Sequence, residues 1–332
     1  MTQSFVVDPG LAEVLGERLE TVERRLREAV AHSDGLADAA SRHLVAAGGK
    51  RLRPALTLLC AQLGAGDRPE VVDAAVVVEL THLATLYHDD VMDSAPVRRG
   101  APSAHEVWGN QVAVITGDLV FARASAIAAG LGPVAIRILA ETFERLCLGQ
   151  LHETVGPRGD ADPVAHYLQV LADKTASLIA TSARFGAMFS GAGAELEAAL
   201  VAYGEAAGVA FQLADDVIDL SSDAATTGKT PGTDLRDKVP TMPALLLRRL
   251  VASGEGTAAD AELVALLDSD LSDDAALTGA VAALRDHPVV AQTQVQAVAW
   301  ADRAVAALAP LPDGVVKDSL VRFTETLVHR TA

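Results

Sequence analysis

The sequence predicts an all-α protein, and three observations support this prediction. Apolar residues recur at three- and four-residue steps along most of the chain, as in the segment from Leu11 to Val30. Aromatic residues make up only 4% of the sequence. The alternation of β-branched and polar residues that marks strands is scarce. Because the 332 residues are half apolar and contain no convincing linker, we expect a single helical domain, residues 1–332.

Clusters of Gly, Pro and polar residues divide the chain into about ten predicted helices. Ser103, followed by Glu106 three residues later, forms a capping-box pattern that predicts a helix start after Pro102. This start places Arg98 and Arg99 on a short loop that precedes the helix.

Charge and composition exclude several classes of protein. The net charge of −17 disfavours nonspecific nucleic-acid binding, which needs a basic surface. Cys60 and Cys147 lack metal-ligand spacing, so we expect small buried side chains in a reducing compartment. The N-terminus lacks signal-peptide features, and Asp118 and Arg123 interrupt the best candidate for a membrane span. The sequence therefore predicts a cytoplasmic protein without a transmembrane segment.

One acidic pattern, Asp-Asp-x-x-Asp, occurs twice, at residues 89–93 and 215–219. Residues four apart on a helix share a face, so Asp89 is expected to lie over Asp93, and Asp215 over Asp219. Magnesium prefers oxygen ligands and usually binds through one or two carboxylates together with substrate phosphates. The two clusters therefore predict a phosphorylated substrate held between them by a divalent cation.

A simpler interpretation is that both clusters are solvated helix ends, since acidic runs usually lie on the surface. The preceding sequences argue against it. VVVELTHLATLYH comes before the first cluster and YGEAAGVAFQLA before the second, and both are largely apolar. Carboxylates at the ends of such helices are expected to face a cavity.

Basic residues complement the acids in four places: Lys50 to Arg53, Arg98-Arg99, Lys174, and Lys229. Arginine binds phosphate bidentately, and lysine adds a point charge. A site for two diphosphate groups needs magnesium at one group and mainly cations at the other, and the sequence contains both kinds of side chain.

With these residues in view, the sequence resembles the trans-isoprenyl diphosphate synthases of the polyprenyl synthetase family. The matching motifs are GGKRLRP (48–54), HDDVMD (88–93), RRG (98–100), GD (117–118), KTA (174–176), FQLADDVID (211–219) and GKTPGTDL (228–235). The resemblance implies an isoprenoid-synthase-like helical bundle around a deep central cavity, usually a homodimer.

The resemblance also implies a reaction. Magnesium, with about three ions in each active site, would be held by Asp89, Asp93 and Asp215 and would stabilise the departure of an allylic diphosphate. The double bond of isopentenyl diphosphate attacks the resulting cation, and the released diphosphate takes the proton. No protein nucleophile is needed, which agrees with the absence of an evident catalytic triad.

Motif by motif, the resemblance assigns roles to residues of this chain. The catalytic residues would be Asp89, Asp90, Asp93, Arg98, Lys174, Asp215 and Asp216. Isopentenyl diphosphate would be held by Lys50, Arg53, His82 and Arg99. The allylic diphosphate would be held by Arg98, Lys174, Thr175, Gln212 and Lys229. The metal shell would be completed or supported by Asp90, Asp216 and Asp219.

Some assignments have ordinary structural alternatives. His82 could be a hydrogen-bonded core histidine, Lys174 a solvated helix residue, and Gln212 a brace for the second cluster. One position departs from the family pattern, because Val239 stands where a lysine is common. Lys238 precedes it and is a candidate substitute for phosphate binding.

Small residues precede the first acidic cluster, where family members that make short products carry bulky aromatics. Ala84 and Thr85 lie about one turn before the cluster, Thr81 lies one turn deeper, and Ser125 lies on the helix expected to face the lower tunnel. We therefore predict an open tunnel and a long all-trans product, from hexaprenyl to decaprenyl diphosphate, made from farnesyl or geranylgeranyl diphosphate. A quinone side chain is its predicted use.

Other outcomes stay open at this point. An aromatic side chain from another helix, Phe121, Phe143 or Phe185, could close the tunnel and give geranylgeranyl diphosphate. A class I terpene cyclase and a non-catalytic partner subunit are more remote alternatives, because both acidic clusters and the GGKRLRP segment are intact. Weak association with a membrane surface, where a hydrophobic product could leave, is also compatible with the sequence.

Overall fold

The computed structural model describes residues 5–221 and 231–328. The all-α prediction is confirmed, since helices make up most of the described chain. In order they are α1 Pro9–Ala29, α2 Gly35–Ala46, α3 Leu52–Ala61, α4 Pro69–Met92, α5 Ala104–Trp108, α6 Asn110–Gly130, α7 Pro133–Val155, α8 Pro163–Leu171, a π-helical turn Ala172–Ala176, α9 Ser177–Ser190, α10 Ala194–Ser221, α11 Thr233–Arg236, α12 Met242–Ala252, α13 Ala258–Asp268, α14 Asp274–Arg285, α15 Pro288–Ala307 and α16 Val315–Val328.

Short polar side chains and prolines define several helix starts. Asp8 accepts a hydrogen bond from the Leu11 amide at 2.7 Å, and Asp34 caps α2 in the same way from the Ala37 amide at 2.9 Å. Both bonds satisfy amides that have no partner inside the helix. Proline stands in the first turn of α1, α4 and α8, where its missing N–H costs nothing.

A two-stranded hairpin, β1 Val97–Arg98 and β2 Ala101–Pro102, follows α4. Arg99 and Gly100 form its turn, with φ of 55° and 79°. Two successive residues with positive φ are typical of the tightest hairpin turns. Both arginines thus lie in the short connection between α4 and α5, as predicted, but only Arg99 is in a turn, because Arg98 lies on β1.

The start of α5 shows one difference from the sequence prediction. The helix begins after Ser103 as expected, but the Ser103 side chain makes no capping bond. Its hydroxyl donates instead to the Ala95 carbonyl, across the base of the hairpin. The predicted capping box was therefore wrong, because a contact with a residue distant in sequence took the hydroxyl.

The described chain forms two compact units. Unit 1 comprises Met1–Glu144, Leu178–Gly204 and Ala307–Arg322. Helix α4 is buried along most of its length and packs against α1, α3 and α6. It is apolar on almost every side, as expected of a helix surrounded by others. Its C-terminal end carries the first acidic cluster.

Unit 2 comprises Arg145–Ser177, Glu205–Ala306 and Phe323–Ala332. Its core contains Leu213 of α10, Leu247 of α12 and Leu284 of α14, which have no exposed surface. Gly208 of α10 lies against the π-helical turn, where an added Cβ would be 2.4 Å from the Ala176 α-carbon. The end of α10 that carries the second acidic cluster is thus held by close packing.

Two described helices, α4 and α6, are long and apolar enough to cross a membrane by length and composition alone. Core helices of folded domains meet the same criteria. In the most apolar window, 72% of α4 is buried in the protein, whereas only 33% of α6 is buried. Helix α6 therefore exposes a partly apolar face, which includes Ile115 at 65% exposure.

The two cysteines differ from each other. Cys60 is buried in α3, as the sequence predicts, and burial raises the pKa of its thiol. Cys147 is exposed on α7, so the prediction that it is buried was wrong. An apolar neighbourhood in sequence does not reveal which side of an amphipathic helix faces solvent.

Gly186 of α9 allows this helix to approach α3 closely. A Cβ at this position would lie 2.4 Å from the Thr57 carbonyl oxygen and 2.8 Å from the Cys60 Cβ. We expect Gly186→Ala to lower the free energy of unfolding by about 1–3 kcal/mol through overpacking, measured by urea denaturation. Gly279→Ala, at an exposed position of α14 with open space around it, is the control and should raise stability by about 0.5–1 kcal/mol. Equal effects of the two substitutions would contradict the packing argument.

Candidate active site

The first acidic cluster lies at the C-terminal end of α4 in unit 1. Its outer members differ from its middle member, since Asp89 is half-buried and Asp93 is exposed, whereas Asp90 has no exposed surface. The Arg98 Nε atom donates to Asp90 Oδ1 at 2.5 Å. Asp90 therefore holds the hairpin arginine against the helix, and the outer carboxylates are the more accessible ones.

The loop before α3 wraps around a second hairpin arginine. Arg99 donates to the carbonyl of Gly48 and, at 3.4 Å, to that of Leu44. A Cβ at Gly49 would lie 2.7 Å from Arg99 Cζ, so the guanidinium rests directly on the glycine backbone. The motif glycines thus permit a cation to pack against the main chain.

Arg53 lies on the first turn of α3, near this arginine. Its Nε atom is buried and has no hydrogen-bond partner within the described residues. Burial lowers the pKa of Arg53, as does the charge of Arg99. Lys50, by contrast, is exposed. A buried guanidinium N–H without an acceptor is suited to bind an anion.

His82 of α4 is surrounded by the same cations. Burial and the charges of Arg53 and Arg99 hold its pKa well below the ordinary value. The imidazole is therefore neutral at neutral pH. It can contribute a hydrogen bond to a diphosphate, although it contributes no charge.

Arg51, between these motif residues, points into the protein. It contacts two carboxylates, with Nε donating to Glu23 at 2.5 Å and Nη1 to Glu79 at 2.7 Å. Glu79 has an exposed fraction of only 2% and lies 3.9 Å from Arg99 Nη2. Unit 1 thus contains a cluster of arginines and glutamates that the sequence motifs did not indicate.

The second acidic cluster lies near the C-terminal end of α10 in unit 2. Asp216, its middle member, is 4% exposed, and the Tyr167 hydroxyl lies 2.9 Å from one of its oxygens and 3.0 Å from the other. The Met242 amide at the start of α12 also donates to Asp216, at 2.9 Å. Burial raises the pKa of Asp216 well above its ordinary range. Asp216 therefore fastens α10 to α8 and α12.

The outer members of this cluster lie close to a further carboxylate. Asp234 of α11 is partly buried, and burial together with the charges of Asp219 and Asp215 raises its pKa to about 6. The Thr233 hydroxyl donates to Asp219 at 3.3 Å. Carboxylates that raise one another's pKa are stabilised by a nearby cation, so the hard oxygen donors here fit magnesium.

No group of three His, Cys, Asp or Glu side chains is placed to hold a metal ion within either unit, over residues 5–221 and 231–328. Magnesium does not require such a group, because it usually retains water and takes substrate phosphates as ligands.

The π-helical turn presents Lys174 and Thr175. Lys174 forms an ion pair with Glu153 of α7, and Thr175 is 9% exposed. Arg145 fastens the turn from α7, since it donates to Asp173 at 2.8 Å and to the Ala172 carbonyl at 3.1 Å. Single π-helical turns are frequent at functional sites. In this protein, Arg145 and Glu153 of α7 both hold the turn in place.

The remaining predicted phosphate ligands are Gln212, Lys238 and Lys229. Gln212 is half-buried on α10. The Lys238 ammonium donates to the Leu267 carbonyl at 2.9 Å and to that of Ser269, at the end of α13. A phosphate contact by Lys238 requires it to leave these two carbonyls. Lys229 lies outside the described residues.

The predicted chain-length residues lie in unit 1. Ala84 and Thr81 have no exposed surface, and Thr85 and Ser125 are half-buried. The two threonine hydroxyls donate to carbonyls of their own helix, at 2.8 Å each, so their methyl groups form the apolar surface. Tyr87 is directed elsewhere, because its hydroxyl donates to the Ala40 carbonyl of α2 at 2.6 Å.

Of the three aromatic residues that could close a tunnel, two form a stacked pair. Phe121 of α6 and Phe143 of α7 have ring centroids 3.7 Å apart. Phe185 is fully buried and contacts Phe189 edge to face. The Phe121–Phe143 pair is therefore the bulkier candidate for closing the end of a tunnel. Phe121 lies one turn before Ser125 on α6.

Comparison with known proteins identifies the family. A sequence profile described as Polyprenyl synthetase matches residues 35–283, which include both acidic clusters and every basic motif described above. The chain belongs to the polyprenyl synthetase family. The resemblance that the motifs indicated is thereby confirmed.

The similarity to individual relatives extends over nearly the whole of this chain. The nonaprenyl diphosphate synthase of Mycobacterium tuberculosis is 44% identical over 98% of this chain and 93% of its own. A polyprenyl synthase from Caulobacter crescentus, solved with calcium and isoprenyl diphosphate, has a TM-score of 0.87 at 32% identity and covers 97% of each chain. A geranylgeranyl pyrophosphate synthase from Corynebacterium glutamicum, with the same ligands, has a TM-score of 0.85 at 40% identity, covering 97% of this chain and 98% of its own.

Several residues near the site were missed by sequence reasoning. They are Glu23, Glu79, Arg145, Glu153, Tyr167 and Asp234. Asp234 carried a signal, because it belongs to the GKTPGTDL motif. Tyr167 and Glu79 carried none, since their roles depend on contacts between segments distant in sequence.

Proposed function

We propose that this polyprenyl synthetase is a magnesium-dependent trans-prenyltransferase. It adds isopentenyl diphosphate to farnesyl or geranylgeranyl diphosphate and makes a long-chain all-trans polyprenyl diphosphate, from hexaprenyl to decaprenyl. The observation that carries the proposal is the combination of partly accessible carboxylates at the ends of α4 and α10 with a half-buried arginine cluster in which the Arg53 Nε atom has no partner among the described residues. The 44% identity to a nonaprenyl diphosphate synthase supports the long product.

In this proposal, residues of unit 1 hold isopentenyl diphosphate. Arg53 offers a buried N–H without a partner, and Arg99 lies beside it against the Gly49 backbone. The neutral His82 donates or accepts one hydrogen bond, and the exposed Lys50 closes on the diphosphate from solvent. These groups fix the double bond relative to the allylic carbon, which is the main contribution that positioning makes to a bimolecular reaction.

The allylic diphosphate is held by Arg98, Lys174, Thr175, Gln212 and Lys229, and Lys238 is a further candidate. Asp89, Asp93 and Asp215 hold magnesium, about three ions in each site, and Asp90 and Asp216 position these ligands from behind. When bound, magnesium neutralises the diphosphate and stabilises its departure. Lys174 and Arg98 add positive charge where negative charge develops on the leaving group.

The growing chain extends from the site along small side chains. Ala84, Thr85, Thr81 and Ser125 present no bulky aromatic, which supports a long tail. We propose that the product serves as the side chain of a quinone. A geranylgeranyl diphosphate product is the alternative, favoured by the 40% identity to the Corynebacterium enzyme and by the stacked Phe121–Phe143 pair.

We also propose a cytoplasmic homodimer. Helix α6 supports it, because Val114 and Ile115 are 39% and 65% exposed on a helix whose most apolar window is only 33% buried. A second copy of the chain would cover this face, and weak membrane association is the competing use of it. Sedimentation equilibrium measures the mass directly, and a monomer at micromolar concentration would rule out the dimer.

The test of the function is incubation of the purified protein with magnesium, labelled isopentenyl diphosphate and farnesyl diphosphate, followed by dephosphorylation and mass spectrometry. A ladder that ends in long linear prenols is the expected result. Geranylgeraniol as the single product would support the prenyltransferase activity but contradict the proposed long product. Cyclic products, or no incorporation with any allylic primer, would contradict the proposal.

Ala84→Phe is expected to shorten the product sharply, because a ring at this position would fill the space one turn before Asp89. Product length is read from the mass spectrum of the dephosphorylated prenols. Ala84→Ser adds a single oxygen and is the control, with product length unchanged. If the phenylalanine variant folds and makes the wild-type product, the tunnel does not pass Ala84.

Asp89→Asn and Asp90→Asn separate the two kinds of aspartate. We expect Asp89→Asn to raise the magnesium concentration for half-maximal activity by about tenfold or more, since a metal ligand is lost. Asp90→Asn should shift the magnesium dependence less than Asp89→Asn does, because Asp90 only positions the ligands. It should also raise the KM for the allylic diphosphate, because Arg98 loses its charged buried partner. Magnesium titrations of initial rates measure both, and equal shifts would show that Asp90 is also a ligand.

A further inference from the structure

Arg51 is an unusual member of the Gly48–Pro54 motif, because its guanidinium is buried and bonded to other side chains of the protein. Its side chain is 6% exposed. Nε donates to Glu23 at 2.5 Å, Nη1 to Glu79 at 2.7 Å, and Nη2 to the Val45 carbonyl at 3.2 Å. Since each guanidinium nitrogen has an acceptor within unit 1, Arg51 links the loop before α3 to α1, α2 and α4.

The backbone of Arg51 is also constrained. Its φ of 49° lies in the left-handed region, which is unfavourable for a residue with a Cβ. The three side-chain bonds offset this cost. Because Arg51 immediately precedes α3, its conformation determines the direction in which Lys50 leaves the loop and Arg53 leaves the first helical turn.

Glu79 provides the counter-charge for several arginines. Its Oε1 atom accepts from Arg51 and lies 3.9 Å from Arg99 Nη2, and it lies one turn before His82 on α4. Burial lowers the pKa of Arg53 and of Arg99, and the charge of Glu79 raises both. A buried carboxylate of this kind is stable only because cations surround it.

We propose that the Arg51–Glu79 ion pair positions Lys50, Arg53 and Arg99 for the diphosphate group of isopentenyl diphosphate. The inference rests on the proposed function and assigns that function two further residues. Without the Glu79 charge, three guanidinium groups would repel one another in a poorly solvated place, and the loop would move outward. Glu79 does not contact the substrate, so it is a positioning residue.

Glu79→Gln is the test, because it keeps the size of the side chain and one acceptor oxygen while removing the charge. We expect the KM for isopentenyl diphosphate to rise about tenfold or more. The KM for the allylic diphosphate and the product length should stay within about twofold of wild type, since the inference concerns one substrate only. Glu79→Asp, which restores the charge, should recover part of the loss.

Asp73→Asn is the matched control. Asp73 lies on the same helix and pairs with Arg25 at 2.8 Å, so it also joins α4 to α1. This pair is exposed, unlike the Arg51–Glu79 pair, and both KM values should be unchanged.

A purely structural role would give a different result. Glu79→Gln would then lower the melting temperature and the fraction of active enzyme, with both KM values unchanged, and the inference would be wrong. If Glu79→Gln does not fold, Arg51→Lys provides the same comparison, because lysine keeps the charge but cannot bridge both glutamates. A selective rise in the KM for isopentenyl diphosphate supports the inference, and its absence overturns it. Failure of the wild-type enzyme to incorporate isopentenyl diphosphate would instead contradict the proposed function, and the inference with it.

Discussion

Each unit of this protein brings several charges of one sign together in a partly buried place, arginines in unit 1 and carboxylates in unit 2. In unit 1, Glu79 lies among Arg51, Arg53 and Arg99, and none of these side chains is well exposed. In unit 2, burial and neighbouring carboxylates raise the pKa of Asp234 to about 6. Both arrangements cost folding free energy in the absence of substrates. Anionic substrates and divalent cations would relieve that cost when they bind.

The two acidic clusters share one arrangement of their three aspartates. The middle aspartate of each is withdrawn from solvent and bonded to the protein, Asp90 to Arg98 and Asp216 to Tyr167 and the start of α12. Of the outer aspartates, Asp93 is exposed, and Asp89, Asp215 and Asp219 are half-buried. In each run of three acids in five residues, the middle aspartate is thus the buried anchor and the two outer aspartates are the more accessible ones. This division explains how a helix end can present carboxylates in a fixed direction.

Much of this could be predicted from the sequence. The helical periodicity predicted the fold class, and the motif positions predicted the acidic helix ends and the arginine-bearing turn. What failed were statements that depend on a distant partner. Ser103 bonds to Ala95 and makes no capping box, and Cys147 faces solvent. The roles of Glu79 and Tyr167 were invisible for the same reason, because no local pattern records which segments meet in the folded chain.

At Gly49, main-chain atoms form the packing surface for a charged side chain, a role that side chains usually have. The Arg99 guanidinium rests on its α-carbon, and its φ of 148° is uncommon for other residues. The wall behind Arg99 is therefore peptide backbone. Any side chain here, even the single methyl group of alanine, would be strained by this φ and would displace the Arg99 guanidinium, so acceptance of a substitution at this position would be decided by steric fit and not by polarity.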